Sequence, residues 1–197
     1  MHSSYPRFEP KQKVLVTERL HIRIDTEEEY VGIVRSGTDL EIKERFGFLT
    51  DAEVEKQREK VVGGLTTYRT SVLFFHLILR SSGQVIGNFA YHNWYPSHNR
   101  SEVGYAMQAD EHKGQGYMRE AMSPIIDFGF REMGLNRMEA FIDPKNIPSR
   151  RLVERSGFRE EAVLLEHYIH DGVTVDSVLY RLLREEYIGN KGSGQVN

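Results

Sequence analysis

The spacing of apolar and polar residues changes several times along this chain, and each change predicts an element. LHIRI (20–24) alternates as a half-buried strand does. DTEEEYVGIVRS follows as a helix, with Asp25 and Thr26 as candidate N-caps and three glutamates in its first turn, where carboxylates favour the positive end of the helix dipole. DLEIKERF (39–46) and DAEVEKQREKVVGGLTTYRT (51–70) read as further helices, the second weakened by Gly63 and Gly64. The period then becomes strand-like. VLFFHLILR (72–80), QVIGNFAYHNWY (84–95) and SEVGYAMQ (101–108) are separated by short turns and predict an antiparallel meander.

Helical spacing returns in GQGYMREAMSPIIDFGFREMG (114–134), which carries Pro124 inside and ends on Gly134 as a C-cap. LNRMEAFID is a strand and NIPSRRLVERSG a short helix. FREEAVLLEHYIHDGVTVDSVLYRLL is a hairpin turning at His170-Asp171-Gly172. The order of elements predicts an α+β fold, a mostly antiparallel mixed sheet of about seven strands with a parallel crossover in its middle.

At 197 residues, a single domain over 1–188 is expected, with the Gly/Ser/polar stretch 189–197 as a mobile tail. Ten Phe, ten Tyr and one Trp supply a core. No apolar run approaches the roughly 20 residues that span a bilayer, and MHSSYPRFEPKQKV lacks a signal peptide's apolar middle, so a cytoplasmic setting without membrane attachment is expected. The net charge of -3 and the lack of a long basic block argue against nucleic acid as a partner. Cysteine is absent, which removes disulfides, thiolate metal sites and covalent catalysis through a protein thiol. Eight scattered histidines without HExxH spacing give no metal site.

The chemistry concentrates in two windows. A strand, a short loop and Gly114-Gln115-Gly116 at a helix start bring unpaired backbone N–H groups and a helix dipole to one point, which suits an anion. The loop is not a Walker A motif, because the Gly-x-x-x-x-Gly-Lys-Ser/Thr spacing is missing. In NIPSRRLVERSGF, Asn146 caps a helix and Ser149 projects from the same opening turn, while Gly157 closes the helix and Phe158 returns to the core.

Together the two windows resemble the GNAT acyltransferase superfamily, and within it the ribosomal-protein N-terminal acetyltransferase branch. Glu111-His112-Lys113-Gly114-Gln115-Gly116 matches the superfamily's Q/R-x-x-G-x-G/A, with Glu111 departing at the first position. Asn146, Ser149, Leu152, Gly157 and Phe158 meet N-x-x-S-x-x-L-x-x-x-x-G-F. TERLHIR, VIGNFAYHNW, SEVGYAM and DGVTVDSVLYRLL are also similar to that branch, so the likeness runs over residues 15–185.

The resemblance implies a sheet splayed at its middle and acetyl-CoA as acyl donor, its pantetheine arm added to the strand edge at Tyr105, Ala106 and Met107. Lys113, Gly114, Gln115, Gly116, Tyr117 and Met118 would surround its phosphates, and Asn146 and Ser149 would meet the pantetheine and the sulfur. It also implies direct acetyl transfer to a primary amine through a ternary complex, the acceptor being a protein N-terminus or a small-molecule amine. A strand N–H near Met107 would stabilise the oxyanion. Glu102 is the candidate base by position. The position where the branch often carries another carboxylate holds Tyr168. Glu166, two residues earlier and on the same face by strand alternation, is the candidate substitute, with His167 pointing oppositely. Ser149 is the candidate acid. His92, Asn93, Trp94 and His98 would shape the acceptor pocket. A homodimer is the commonest oligomer for such a chain. Because Glu111 and Tyr168 depart from the pattern, a non-catalytic acyl-CoA-binding regulatory module is the alternative. A nucleotide-binding protein of another fold is disfavoured by the meander.

Overall fold

The computed structural model describes residues 8–65, 71–170 and 172–193. Strands β1 (Val14–Val16) and β2 (Leu20–Thr26) lead into helices α1 (Glu27–Ser36), α2 (Asp39–Phe46) and α3 (Asp51–Gly63). Each helix begins at a threonine, Thr26, Thr38 or Thr50, whose side chain accepts from the N–H three residues on, and the glutamate at that position answers with its carboxylate. The meander follows as β3 (Ser71–Leu79), β4 (Val85–Tyr95) and β5 (Arg100–Met107). Then come α4 (Tyr117–Arg131), β6 (Arg137–Ile142), α5 (Ile147–Arg155), β7 (Arg159–His170), β8 (Val173–Leu183) and α6 (Arg184–Ser193).

The eight strands form one sheet in the order β1-β2-β3-β4-β5-β6-β8-β7. All neighbours are antiparallel except β5 and β6. That parallel pairing spans only Arg100, Ser101 and Glu102 against Arg137, Met138 and Glu139. Beyond Glu102, β5 stays paired to β4 as far as Met107 and β6 stays paired to β8 as far as Ile142, so the two strands part and the sheet opens between them. The α+β expectation and the central splay are both present.

One face of the sheet packs on α4, with Phe75, Phe89, Tyr91, Met138 and Tyr180 in a core that also takes Val153 of α5. Gly129 allows that approach, because a Cβ there would collide with the Tyr91 hydroxyl and the Met138 methyl. The other face carries a smaller core of Tyr30, Val34, Ile42, Phe46, Val54 and Val61 under α1 to α3. Between them lies a buried charge cluster. Asp25, 2% exposed, receives Arg23 at 3.0 Å and Arg45 at 2.5 Å, and His76 Nδ1 sits 2.9 Å away. Burial pushes the Asp25 carboxyl up, but His76 and Arg23 outweigh it and bring it down to about 2.

Several expectations are revised. Thr26 caps α1, and Asp25 belongs to the charge cluster instead. α3 stops at Gly63, and residues 66–70 of the helix expected there lie outside the described residues. α4 opens at Tyr117, after both glycines, passes through Pro124 and ends at Arg131, leaving Gly134 in the turn beyond it. β1 is an eighth strand, beyond the roughly seven expected. α6 carries the chain as a helix through Ser193, into the segment read as a tail, and residues 194–197 lie outside the described residues. Asp171 of the expected hairpin turn also lies outside them, although His170 pairs with Val173 across it. Among the described residues no helix is long and apolar enough to cross a membrane, and no three His, Cys, Asp or Glu side chains are grouped to hold a metal.

Candidate active site at the split between β5 and β6

Alternation along β5 divides its chemistry. Val103 is buried in the α4 core with Tyr105 and Met107 packed against it, so Glu102, Gly104 and Ala106 face the opposite side. In an antiparallel pair N–H groups point alternately toward and away from the partner strand. Gln108 donates to Ile86 on the β4 side, so the N–H groups of Met107 and Tyr105 point into the split.

At the end of β5 the chain makes a single helical turn, Asp110–His112, and reaches the glycines. Gly114 and Gly116 have φ of 71° and 80°, a left-handed backbone that other residues adopt only with strain. Gly116 is the N-cap of α4 and offers no side-chain cap, in contrast to α1, α2, α3 and α5. The first intrahelical bond is Glu120 N–H to the Gly116 carbonyl. Among the described residues, the backbone N–H groups of 114 to 119 find no acceptor within the protein. A Cβ on Gly114 would meet nothing within 4 Å, so the space in front of these donors is open.

The side chains around this loop divide their tasks. Met118 is buried in the core and offers the loop its backbone alone. Lys113 is exposed and donates to Asp110 at 2.5 Å. Gln115 is exposed, and its carbonyl accepts from Arg19 at 3.0 Å. Tyr117 lies under the Arg19 guanidinium, 4.4 Å from the ring centroid. Glu111 is exposed and lies 3.4 Å from His112. Burial pushes the Glu120 carboxyl up, yet hydrogen bonds from the Thr17 hydroxyl and from the Arg19 N–H and guanidinium leave it below its ordinary value.

Across the split, α5 begins with Asn146, whose side-chain oxygen caps the Ser149 N–H at 3.2 Å. The Ser149 hydroxyl lies 2.6 Å from the Tyr105 hydroxyl, so the two hydroxyls bridge β5 and α5. Burial pushes the Tyr105 phenol up, only partly offset by Ser149, so it stays protonated at neutral pH.

On the opposite face, β4 bulges at Asn93, which takes φ of 43°, a conformation asparagine tolerates better than most residues. Its amide donates to Glu102 at 2.8 Å, and His92 Nε2 lies 3.8 Å from the same carboxylate. Glu139, the partner of Glu102 across the parallel ladder, is taken by Arg100 and Arg137, each at 2.8 Å. Among the described residues Glu102 has no such arginine or lysine. Burial pushes the Tyr168 phenol up and the Glu102 charge adds to it.

Glu166 does not follow the alternation expected of it. Two extra residues of β7 bulge between Leu164 and Tyr168, Glu166 adopts φ of 51°, and its N–H bonds Asp176. His167 packs on Phe141 and Tyr168. Trp94 is 5% exposed against Phe8 in the core, and His98 lies in the turn after β4 beside Tyr95.

The sequence matches the Acetyltransferase (GNAT) domain family over residues 19–159. The chain belongs to that family. An uncharacterised N-acetyltransferase of Bacillus licheniformis, p20, is 28% identical over 179 residues, covering 90% of this chain and 99% of the relative. A ribosomal-protein-S5-alanine acetyltransferase from Vibrio fischeri superposes with TM-score 0.65 at 19% identity, over 88% of this chain and 98% of that one. A dodecameric spermidine N-acetyltransferase from Vibrio cholerae superposes with the same TM-score of 0.65 at 18% identity, over 88% and 99%. This GNAT protein is therefore an N-acetyltransferase with an amine as acceptor, and its relatives include a putative ribosomal N-acetyltransferase of Bacillus subtilis, YdaF, 33% identical over 109 residues, 55% of this chain and 59% of that one. GNAT acetyltransferases generally draw the acetyl group from acetyl-CoA. The unpaired N–H groups of 114 to 119, the open space before Gly114 and the unladdered edge of β5 fit such a molecule, an anion at one end and an extended amide chain at the other.

Proposed function

We propose that this enzyme transfers the acetyl group of acetyl-CoA directly to a primary amine, a protein N-terminus or a small molecule, through a ternary complex in the β5–β6 split. The observation that carries this reading is the run of backbone N–H groups from 114 to 119 without acceptors, beside a strand edge with no ladder. Acetyl-CoA supplies an activated acetyl carbon. The glycine loop and the start of α4 hold its pyrophosphate, and the edge of Tyr105, Ala106 and Met107 holds the pantetheine arm.

The acceptor must attack as a neutral amine, whereas α-amines titrate near 7.7–8.0 and lysine-like amines near 10.4. The ammonium proton leaves to solvent before attack, and Glu102, without an arginine or lysine partner among the described residues and steadied by Asn93, takes the second proton that the nitrogen sheds as the C–N bond forms, directly or through water. The Met107 N–H meets the negative charge that develops on the acetyl oxygen. When the C–S bond breaks, the Ser149 hydroxyl donates its proton to the departing thiolate and recovers one through Tyr105, 2.6 Å away, which takes a proton from solvent in the same relay. With no cysteine in the chain, no acyl-thiol enzyme intermediate is available.

The test follows free thiol release from acetyl-CoA across N-terminal peptides, polyamines, amino acids and aminoglycosides. One class should drive release well above hydrolysis. In Glu102→Gln, turnover of that class should fall about 100- to 10,000-fold, the range of general-base catalysis, with CoA affinity unchanged. A Glu102→Gln enzyme at the native rate would remove Glu102 as base, and tight CoA binding without release from any amine would defeat the transfer reading.

A further inference from the structure

Arg19 lies in the turn between β1 and β2, far in sequence from the glycines, yet its side chain reaches them. Its guanidinium is fixed before it touches the loop. Arg19 Nε donates to Glu120 Oε2 at 2.6 Å and the Arg19 backbone N–H to Glu120 Oε1 at 2.7 Å. The Thr17 hydroxyl donates to the same Oε1 at 2.5 Å. The guanidinium plane then stacks 4.4 Å above the Tyr117 ring, and Nη1 donates to the Gln115 carbonyl at 3.0 Å. Nη2 stands 3.5 Å from where a Gly116 Cβ would be. Thr17, Arg19 and Glu120 thus clamp the loop to the first turn of α4.

A trans peptide is planar, and its C=O and N–H point in opposite directions. The peptide joining Gln115 and Gly116 therefore has its N–H turned away from Arg19 as long as the Gln115 carbonyl is held. Glycine on one side of that peptide leaves it little resistance of its own to rotation. A rotated peptide would present a carbonyl oxygen to an anion in place of a donor. We propose that Arg19 is a positioning residue, which pins the Gln115 carbonyl so that the Gly116 N–H and its neighbours face the pyrophosphate of the acyl donor. This rests on the acyl-CoA reading of the site. Lysine would not reproduce the clamp, because it cannot bridge Glu120 and the Gln115 carbonyl with a planar fork.

The alternative is an ordinary ion pair that ties the β1–β2 turn to α4, and donor selectivity separates the two. CoA and S-acetylpantetheine share the pantetheine arm, but only CoA carries the pyrophosphate. Arg19→Lys and Arg19→Ala are measured for CoA affinity by calorimetry, for kcat/KM with S-acetylpantetheine, and for melting temperature. CoA affinity should fall about 10- to 100-fold in both, the range for one hydrogen bond to a charged group. The pantetheine reaction should stay within about twofold of wild type. Equal losses with both donors, or unchanged CoA affinity, would overturn the proposal. A wild-type protein that binds CoA no better than pantetheine would instead overturn the pyrophosphate reading itself, and that outcome is seen before any variant is made.

Discussion

Replacing Gly114 or Gly116 by alanine tests the cradle, because backbone strain and ligand loss can be separated. At φ of 71° and 80° an alanine pays the left-handed penalty, about 1–2 kcal/mol. Packing adds nothing, since a Cβ at 114 meets no atom within 4 Å and one at 116 meets only Arg19 Nη2 at 3.5 Å. Gly83, in the β3–β4 turn, has φ of 74° and an equally open Cβ position, so Gly83→Ala carries the same stability penalty away from the site. Urea titration should therefore give three variants destabilised alike. CoA binding should not be alike. A methyl group in the cradle, or a loop relaxed to relieve strain, forfeits charge-assisted hydrogen bonds of about 1.5–3 kcal/mol each. Losing two amounts to about 3–6 kcal/mol, or roughly 100- to 10,000-fold in Kd by calorimetry, with Gly83→Ala at the native affinity. If the Gly114 and Gly116 variants bind CoA as Gly83→Ala does, the loop is a plain glycine turn.

The remaining expectations concern stability and proton transfer. Asp25→Asn leaves Arg23 and Arg45 without their buried carboxylate, and urea midpoints should report a loss of about 3 kcal/mol or more; a loss below about 1 kcal/mol would show the cluster to be solvated. Because the folded Asp25 pKa lies at about 2, below its unfolded value, the charge stabilises the protein fully above about pH 4 and the contribution fades as pH falls toward 2. That contribution is about 2 kcal/mol, and Asp25→Asn should flatten this part of the stability profile. Tyr105→Phe and Ser149→Ala should each lower kcat about tenfold, as a modest share of acid catalysis, and the double variant should be no slower than the slower single one. Fully multiplicative losses would show that the two hydroxyls act separately.

Periodicity made most of the fold legible, because the meander, the α4 helix and the β7–β8 hairpin are long enough to display it. β1 has three residues, too few to show alternation, and is held by its pairing with β2. α6 was hidden by its Gly, Asn, Lys and Ser content, although Glu185 and Glu186 in its first turn are a helix-start signal. Glu166 was misplaced because strict alternation was carried through a bulge that no residue type announces. The glycine loop and the α5 window were read from local motifs, which survive without tertiary information. Arg19 was visible only as part of TERLHIR; its meaning comes from Glu120, 101 residues away, and no local pattern joins them. The same holds for Glu102, whose distinction from Glu139 depends on where two arginines fall.

The course of β5 accounts for how few residues the proposed reaction needs. A strand has two faces and two edges, and each is used differently here. The β4 edge is spent on the sheet, while the opposite edge is released after Glu102, which frees the N–H groups of Tyr105 and Met107 for an extended ligand. Odd positions face the α4 core, so the Tyr105 hydroxyl meets Ser149 on α5; even positions face away, so Glu102 meets Asn93 and His92. A thioester threaded through the split would then meet the proposed base, Glu102, on one face and the proposed acid, Ser149, on the other. The proton removed from the amine and the proton given to the thiolate need not share a carrier, and each donor or acceptor can keep the protonation state its task requires. The proposed direct transfer can use that separation, because the nucleophile would arrive and the leaving group depart at the same carbon without a covalent enzyme intermediate between them.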